Sequence, residues 1–372
     1  MKAIRLHIIS FNVPYPPNYG GVIDVFYKIK ALKQLGVKVV LHCYSYGREG
    51  NEQLESLTEK TYYYKRDTSF RKHLSTLPFI INSRDNKDLL SRLLKDNFPI
   101  LFEGLHTCYH IANKELQGRV KIVRAHNIEH DYYNGLAYQE KNLVKRLYFF
   151  VEAAKLKMFE AKLKDSTYIA AISVKDQNYF QKKFNNAILL PPFHSNEKVL
   201  VDKTKGKYAL YHGSLDVVEN IEAVLFLINT FKDEPEIPLV IAGRKADLSI
   251  LKALEGIGHI RLVSDSSNEE MKELISKAQI NILPTFQATG VKLKLLEALY
   301  SGKHLLCNNA MVSGTNLASV CHIAESKEDF VKSAKKLMET RIEDGDISHR
   351  KQLLDEWFNN KVNAQSIVNL IV

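Results

Sequence analysis

Short apolar runs alternate with helical patterns along almost the whole chain, and this alternation constrains the fold more than any other feature of the sequence. The apolar run from Ile4 to Ile9 is followed by the loop NVPYPPNYGG, by a helical stretch that Gly36 closes, and by a second run from Val37 to Cys43. A strand, a helix and a strand in this order form a βαβ unit with parallel strands. The same order starts again at Tyr208, so the sequence predicts an α/β protein with two Rossmann-like, doubly wound domains.

The boundary between the two domains is indicated by LLPPF and the polar stretch that follows it. With 372 residues, the chain is long enough for two domains that each bury a core. We predict a Rossmann-like domain over residues 1–190, a linker over 191–206 and a second Rossmann-like domain over 207–347. A final helix over 348–372 is expected to cross back and pack towards the N-terminal domain.

The sequence lacks the signatures of a membrane-spanning, secreted or metal-binding protein. No apolar stretch approaches the roughly 20 residues that a membrane-spanning helix needs. The opening MKAIRLHIIS is too short and too charged for a signal peptide. The four cysteines do not have the spacing of a metal site, which favours reduced thiols in a cytoplasmic protein.

The net charge of +10 is concentrated in the first half of the chain. Residues 1–200 hold 31 Lys+Arg and 19 Asp+Glu, which gives +12, whereas the remainder holds 21 and 23, which gives −2. A basic half indicates an anionic partner, for which nucleic acid, anionic lipid and a phosphorylated acceptor are candidates. Because the chain has no recognisable nucleic-acid-binding motif, we expect no nucleic-acid partner.

The stretch Pro284–Gly302 follows an apolar run and predicts a strand end, a polar loop and a helix that begins at Thr289-Gly290. Seven residues at about 100° each bring Glu297 to within about 20° of Gly290 on the face of that helix. The N-terminus of a helix attracts anions, and a carboxylate two turns away can accept hydrogen bonds from sugar hydroxyls. This combination suits a nucleoside diphosphate; the alternative is an ordinary strand-loop-helix unit with a solvated glutamate.

Five polar residues follow the predicted strand Val120–Arg124 at the point where the strand ends. In open α/β sheets, ligands bind beyond the C-terminal ends of the strands. Histidine and carboxylate groups at such a place are candidates for acid–base chemistry or hydrogen bonding. No further ligand group completes a metal site, so we predict a site without metal. The five residues are His126, Asn127, Glu129, His130 and Asp131.

The segment Leu143–Leu163 has apolar residues at helical spacing, with lysines and arginines between them. Such a helix can pack its apolar side on a sheet. Alternatively, it can lie on an anionic membrane surface, because a basic amphipathic helix binds at the interface of such a membrane. The sequence leaves both interpretations open.

Seven segments of the chain together resemble the retaining GT-B-fold glycosyltransferases of family 4, also called glycosyltransferase group 1. In chain order they are PYPPNYGG, RAHNIEHDYY, AAISVKD, LLPPF, YHGSLDVVENIEAVLFL, IAGR and GVKLKLLEALYSGKHLL. The resemblance covers nearly the whole length and implies two Rossmann-like domains that face each other across a cleft. It also implies a nucleotide-sugar donor held mainly by the C-terminal domain, an acceptor held by the N-terminal domain, and no metal or other cofactor.

The resemblance also assigns roles to individual residues. Glu297 would contact the ribose of the donor, and the backbone N–H groups of Gly290 and Val291 would bind its phosphates. His126 matches a histidine near the transferred sugar, so His126 and Glu297 are the implied catalytic residues. The acceptor-side candidates are Asn127, Glu129 and His130. The implied donor contacts are Gly20, Gly21, Gly213, Ser214, Arg244, Thr289, Gly290, Val291, Lys292, Lys294 and Glu297.

The chain departs from the family pattern at three positions. Thr289 stands where the family has the first acid of its E-x7-E element, and Ser214 and Glu219 stand where it has a phosphate-binding arginine and lysine. A leaving diphosphate needs positive charge, and Lys292 and Lys294 are the available substitutes. The alternative for Lys294 is a local ion pair with the nearby glutamate of the same helix.

The sequence therefore predicts a retaining glycosyltransferase that moves a hexose or deoxyhexose from a nucleotide sugar to a surface-polysaccharide or lipid-linked glycan acceptor. We expect it in the cytoplasm, with peripheral contact to anionic lipid at the inner face of the cell membrane. One alternative is a catalytically silent nucleotide-sugar-binding scaffold of a glycan-assembly complex. Another is a GT-B-fold nucleotide-sugar epimerase, which would need no acceptor.

Overall fold

The computed structural model describes residues 4–287 and 290–372, which form two compact units. Unit 1 is the described part of Met1–Ser195 together with Phe358–Val372, and unit 2 is Asn196–Trp357 without the two undescribed residues. Each unit is built on its own parallel sheet with helices between successive strands. The predicted α/β class with two doubly wound sheets is confirmed.

Unit 1 contains a seven-stranded sheet in the order β3-β2-β1-β4-β5-β6-β7, with every neighbouring pair parallel. The strands are β1 (Arg5–Ser10), β2 (Lys38–Ser45), β3 (Lys60–Lys65), β4 (Ile100–Glu103), β5 (Lys121–Ala125), β6 (Tyr168–Ala171) and β7 (Ala187–Leu189). The strand order reverses at β1, which lies between β2 and β4. Such a switch point leaves a crevice at the C-terminal ends of the strands, where ligands of α/β proteins bind.

In the described part of unit 1, eight α-helices lie between these strands, together with short 3-10 segments. They are α1 (Gly20–Gln34), α2 (Glu52–Glu55), α3 (Phe70–His73), α4 (Phe79–Asn82), α5 (Lys87–Leu93), α6 (Glu129–Gln139), α7 (Leu143–Glu160) and α8 (Val174–Phe184). Gly20 and Gly21 are the first two residues of α1. Among the described residues, no helix is both long enough and apolar enough to cross a bilayer.

The core of unit 1 consists of two apolar clusters that share the strands of the sheet. Successive residues of a strand point to opposite faces, so Ile8 belongs to one cluster and Ile9 to the other. Both side chains are completely buried. This two-sided burial explains why the strands have continuous apolar runs in the sequence, as parallel strands do.

Unit 2 contains a six-stranded parallel sheet in the order β10-β9-β8-β11-β12-β13, which switches direction at β8. The strands are β8 (Ala209–His212), β9 (Leu239–Gly243), β10 (Ile260–Ser264), β11 (Ile280–Leu283), β12 (His304–Cys307) and β13 (His322–Ile323). The helices are α9 (Val218–Phe231), α10 (Leu248–Ala253), α11 (Asn268–Lys277), α12 (Leu293–Ser301), α13 (Asn309–Val312), α14 (Lys327–Glu339) and α15 (Asp344–Trp357).

The end of the chain forms two helices, so the prediction of one helix over 348–372 was wrong. Helix α15 ends at Trp357, and α16 spans Asn360–Ile371. The chain breaks there because the side chain of Asn359 accepts hydrogen bonds from the backbone N–H groups that open α16, at 3.0 and 3.2 Å. Helix α15 belongs to unit 2 and α16 to unit 1.

Helix α16 completes the core of unit 1, where Ile367 is completely buried in the same apolar cluster as Ile29 of α1. We expect Ile367→Ala to lower the free energy of unfolding by about 2–4 kcal/mol, because it leaves a cavity in this cluster. Urea denaturation followed by circular dichroism measures the change. Val362→Ala is the matched control, since Val362 lies on the same helix and is 52% exposed. Equal effects of the two substitutions would contradict the assignment of α16 to the core.

Candidate active site

In unit 2, the loops after β8 and β9 come together at the C-terminal edge of the sheet. The backbone N–H of Gly213 donates to the carbonyl oxygen of Ala242 at 3.1 Å, and a Cβ atom on Gly243 would collide with the carbonyl oxygen of Gly213. This close approach requires glycine at position 243. It brings the exposed residues Ser214 and Arg244 into adjacent loops at the switch point.

Helix α12 begins at Leu293, three residues after the predicted start at Gly290. Gly290 lies in the preceding loop with φ of 61°, a backbone conformation that favours glycine. The predicted rotation of about 20° between Gly290 and Glu297 was therefore wrong, because it assumed that both residues belong to one helix. The half-buried Val291 also precedes the helix. Thr289 lies outside the described residues.

Lys292 and Glu219 form an ion pair between the start of α12 and the start of α9. The Nζ atom of Lys292 lies 2.8 Å from Oε1 and 3.0 Å from Oε2 of Glu219. The hydroxyl of Thr285, just beyond β11, donates to Oε1 of the same carboxylate at 2.6 Å. Glu219 stands where the resemblance implies a lysine, and its carboxylate holds an ammonium group from another element.

Lys294 contributes a second ammonium group beside the same loop. Its Nζ atom donates to the Tyr211 hydroxyl at 3.0 Å and to Oδ1 of Asn220 at 2.8 Å. Burial lowers the pKa of Lys294 to about 8, and the charge of Lys292 acts in the same direction. These contacts replace the local pair with Glu297 that the sequence left open.

Glu297, on α12, faces His212 at the end of β8, with 3.8 Å between Oε2 and Nδ1. Although 39% of the Glu297 side chain is exposed, desolvation by the surrounding protein raises its pKa to about 7. Burial lowers the pKa of His212 to about 3, so its imidazole is neutral. The Nε2 atom of His212 has no hydrogen-bond partner among the described residues. The sequence analysis missed His212, although a polar residue that ends an apolar strand at a switch point was a usable signal.

In unit 1, His126 follows β5 and lies against Glu103 at the end of β4, with 3.3 Å between Nε2 and Oε2. Glu103 belongs to a fully buried group of two acids and two bases, which we call the buried quartet: Asp24, Lys28, Glu103 and Arg124. Lys28 lies 2.9 Å from Asp24 and 2.6 Å from Glu103, and Arg124 lies 2.9 Å from Asp24.

The charges of the buried quartet compensate each other. Burial alone would raise the pKa of Glu103, but the Lys28 ammonium and the hydrogen bond to His126 hold it below its usual range. Arg124 and Lys28 likewise hold the pKa of Asp24 well below its usual range against the effect of burial. Both acids are therefore ionised, and the quartet as a whole is neutral.

Ligand atoms of Asp24, Glu103 and His126 lie within 4.8 Å of one another, the one such grouping of potential metal ligands among the described residues. The ammonium group of Lys28 bonds to both carboxylates of this grouping. A metal ion would have to displace that ammonium group from both carboxylates. The quartet has no third acid, so the positive charge of Lys28 would then be buried without a counter-charge. The two carboxylates of the grouping therefore bind Lys28 and His126, and the grouping is poorly suited to a metal ion from solution.

Phe11 connects the glycine start of α1 with the histidines of unit 1. A Cβ atom on Gly21 would lie 2.6 Å from the ring of Phe11, and the rings of His106 and His126 both lie 5.7 Å from it. The Nδ1 atom of His106 lies 3.8 Å from Oε1 of Glu129. Burial raises the pKa of Glu129 to about 8, so this carboxyl group carries a proton at neutral pH and can donate it.

The other candidates near β5 differ in their surroundings. His130 is buried with Nδ1 3.2 Å from Oε2 of Glu160 and its ring 6.0 Å from that of Tyr179. It therefore stabilises the packing of α6 on α7 and α8. Asn127 is half-buried at the end of β5. His106, which the sequence analysis missed, lies in a short 3-10 segment without a motif to mark it.

Comparisons with known proteins agree with this architecture. Residues 206–340 match the family described as "Glycosyl transferases group 1". The chain is 26% identical over 354 residues to a Klebsiella pneumoniae protein described as "Uncharacterized 44.6 kDa protein in cps region", with 88% of this chain and 89% of that protein covered. It resembles a glycosyltransferase from Rickettsia africae with a TM-score of 0.68 and 11% identity over 100% of this chain and 98% of that one. It also resembles Anabaena Alr3699/HepE, solved with UDP and glucose, with a TM-score of 0.63 and 9% identity over 98% of each chain.

Two parallel sheets of seven and six strands, with these structural neighbours, define a protein of the GT-B fold. The match of residues 206–340 to glycosyl transferases group 1, together with this fold, identifies the protein as a glycosyltransferase. The predicted fold and enzyme class are thereby confirmed.

Proposed function

We propose that the protein is a retaining glycosyltransferase of family 4 that moves a hexose or deoxyhexose from a nucleotide sugar to a surface-polysaccharide or lipid-linked glycan acceptor. The observation that carries this proposal is the pair of ammonium groups at the switch point of unit 2, Lys292 and Lys294. Positive charge at that place stabilises a leaving diphosphate. The cps-region relative of Klebsiella pneumoniae supports an acceptor among surface glycans.

The donor would lie along the C-terminal edge of the unit 2 sheet. Glu297 would accept hydrogen bonds from the ribose hydroxyls, and the N–H groups of Gly290 and Val291 would bind phosphate oxygens. Gly213, Ser214 and Arg244 would complete the nucleotide contacts. The complex of HepE with UDP and glucose supports a nucleoside diphosphate sugar as the class of donor.

The acceptor and the transferred sugar would contact the C-terminal edge of the unit 1 sheet. Glu103 holds one ring nitrogen of His126, so the other is left for the sugar or the acceptor. Asn127 and the protonated Glu129 are acceptor contacts in this proposal, and Gly20 and Gly21 are donor contacts in it. We propose that the reaction needs no metal or other cofactor, because lysines provide the positive charge. We place it in the cytoplasm at the inner face of the cell membrane.

A donor screen tests this function. The purified protein is incubated with UDP-, GDP-, CDP- and dTDP-sugars, thermal shift reports binding, and chromatography reports the products. We expect stabilisation by one nucleotide class and slow release of the nucleoside diphosphate, with retained anomeric configuration in the sugar. Binding without any turnover would instead support a silent scaffold, for which the loss of charge at Ser214 is the motivating observation. Conversion of the nucleotide sugar without acceptor would indicate an epimerase.

The affinity for the nucleotide should be highest at a pH between the pKa values of Glu297 and Lys294. Glu297 has a pKa of about 7 and accepts stronger hydrogen bonds from the ribose hydroxyls when it is ionised, so affinity should rise as pH increases through 7. Lys294 has a pKa of about 8 and loses its charge above it, so affinity should fall again. We expect binding at pH 6 to be up to about tenfold weaker than at the maximum, because one pKa unit corresponds to a tenfold change.

Isothermal titration calorimetry with the nucleoside diphosphate selected in the screen measures this profile. Glu297→Gln should remove the rise near pH 7 and leave the decline above pH 8. Glu222→Gln is the matched control, since Glu222 is an exposed residue of α9 in the same unit. A rise near pH 7 that persists in Glu297→Gln would show that another group controls nucleotide binding.

A further inference from the structure

The outer side of α7 carries a continuous apolar stripe that faces solvent. At about 100° per residue, its six members fall within an arc of about 100°. The five large side chains among them are 45% to 79% exposed. Other residues of α7, such as Leu156 and Phe159, form its buried side. The stripe consists of Leu143, Val144, Leu147, Val151, Ala154 and Met158.

Apolar residues of two neighbouring helices extend this stripe on both sides. On one side, the exposed Tyr138 of α6 packs its ring against Phe150 of α7, with 5.4 Å between the centroids. On the other side, His73 of α3 packs against Tyr148 of α7 at 5.8 Å, and its neighbours Phe70 and Leu74 are about three-quarters exposed. We call the stripe together with Tyr138, Phe70 and Leu74 the α7 surface. Exposed apolar surfaces of this extent mark interaction sites.

The charges of α7 are sorted by sign. Its two acids, Glu152 and Glu160, are completely buried. Glu152 accepts a hydrogen bond from the backbone N–H of Phe79 at 2.6 Å, and Glu160 accepts one from the Tyr179 hydroxyl at 2.7 Å. The acids of this helix are therefore used inside unit 1, and none of them faces solvent.

Three of the four basic residues of the same helix are directed outwards, and the fourth, Lys155, bonds to Glu152 at 3.0 Å. Lys145 and Lys157 are exposed, and the guanidinium group of the half-buried Arg146 lies 5.8 Å from the ring of Phe150 at the edge of the stripe. Lys141 before the helix and Lys162 after it are also exposed. Long basic side chains can keep their charge in water while their stems cover apolar surface. An apolar centre with a basic rim is the arrangement of a helix that lies in the interface of an anionic membrane.

We propose that the α7 surface docks the protein on an anionic lipid bilayer. The apolar residues would enter the boundary between head groups and acyl chains, and the basic rim would attract anionic head groups. A second copy of the chain fits less well, because it would bring two basic rims together. The proposal rests on the proposed function only for the purpose of docking, which is to give the enzyme access to a lipid-linked acceptor. Binding to lipid needs neither donor nor acceptor.

Vesicle flotation with the full chain tests the proposal. We expect binding to vesicles of phosphatidylcholine mixed with phosphatidylglycerol, and binding at least about tenfold weaker to phosphatidylcholine alone or in high salt. The double variant Val144→Glu/Leu147→Glu should bind the mixed vesicles at least about tenfold more weakly, because it places charge in the apolar stripe. Both side chains are exposed, so stability should change little, which thermal unfolding verifies.

The matched control is Leu200→Glu/Leu248→Glu, which introduces the same charges at two positions of unit 2 that are each 71% exposed. This control should bind lipid as the unaltered protein does. The proposal is overturned if the unaltered protein ignores the mixed vesicles, or if both double variants lose binding equally. Self-association in analytical ultracentrifugation that Val144→Glu/Leu147→Glu abolishes, without any lipid binding, would assign the surface to a second copy. Failure of the proposed function would instead remove turnover and leave flotation unchanged.

Discussion

Lys292→Glu should lower kcat/KM for the nucleotide-sugar donor by about 10²–10³-fold, which corresponds to about 2.7–4 kcal/mol of transition-state stabilisation. The substitution removes one ammonium group from the switch point of unit 2 and places a second carboxylate beside Glu219. In the proposed function, a leaving diphosphate would then meet negative charge in place of positive charge. A coupled assay for released nucleoside diphosphate measures the effect.

The double variant Lys292→Glu/Glu219→Lys should recover a substantial part of that loss. The exchange keeps an ion pair at the same place and moves the ammonium group to α9, where the resemblance implies a phosphate-binding lysine. Recovery would show that Glu219 acts by positioning the charge rather than by touching the donor. Glu219→Lys alone should retain more activity than Lys292→Glu alone, since it adds positive charge.

Lys252→Glu, on the exposed side of α10, controls for the change in net charge and should leave kcat/KM close to that of the unaltered protein. Thermal unfolding of each variant separates a loss of activity from a loss of folded protein. Unchanged kcat/KM in Lys292→Glu would remove Lys292 from the donor site. If the double variant is no more active than Lys292→Glu, Lys292 remains assigned to the donor site, but Glu219 does not act by positioning the charge.

The fold could be predicted because its strands are buried on both faces. Such strands appear in the sequence as short apolar runs, and the predicted strands Ile4–Ile9 and Val120–Arg124 lie within one residue of the observed bounds of β1 and β5. Helix ends were less accurate. Helix α12 begins at Leu293 without a side-chain cap, so nothing in the local sequence marks its first residue. The break before α16 did have a signal, because Asn359 is a residue type that commonly caps helices.

The candidate site was only partly predictable because its key contacts join residues that are far apart in the chain. Glu219 and Lys292 are separated by 73 residues, and no local pattern records their pairing. The sequence analysis therefore treated Glu219 only as a missing positive charge, whereas the structure shows it holding one. The buried quartet was not predicted for the same reason, since Lys28 contacts Glu103 only when α1 packs on β4. Motifs mark backbone geometry and strand ends, while pairings of charge depend on packing.

Lys28→Met should lower the free energy of unfolding by about 3–5 kcal/mol, because it leaves one carboxylate of the buried quartet without a counter-ion. Denaturation in urea at pH 7 measures the loss. Lys33→Met is the matched control, since Lys33 lies on the same helix with its side chain exposed. The deficit should shrink as the pH falls towards 5. The uncompensated carboxyl of the variant then takes up a proton, whereas the unaltered quartet, whose acids have lowered pKa values, begins to lose stability at still lower pH.

The double variant Lys28→Met/Glu103→Gln should be more stable than Lys28→Met alone, although it carries one more substitution in the core. Removing the charge of Glu103 makes the group neutral again, with Asp24 and Arg124 as the remaining pair. A double-mutant cycle gives the coupling energy between Lys28 and Glu103. If the two losses simply add, the residues do not compensate each other. A positive coupling, by contrast, would mean that the ammonium of Lys28 is what allows an ionised Glu103 to lie buried beneath His126, so that the stability of unit 1 and the orientation of its histidine depend on the same buried charge.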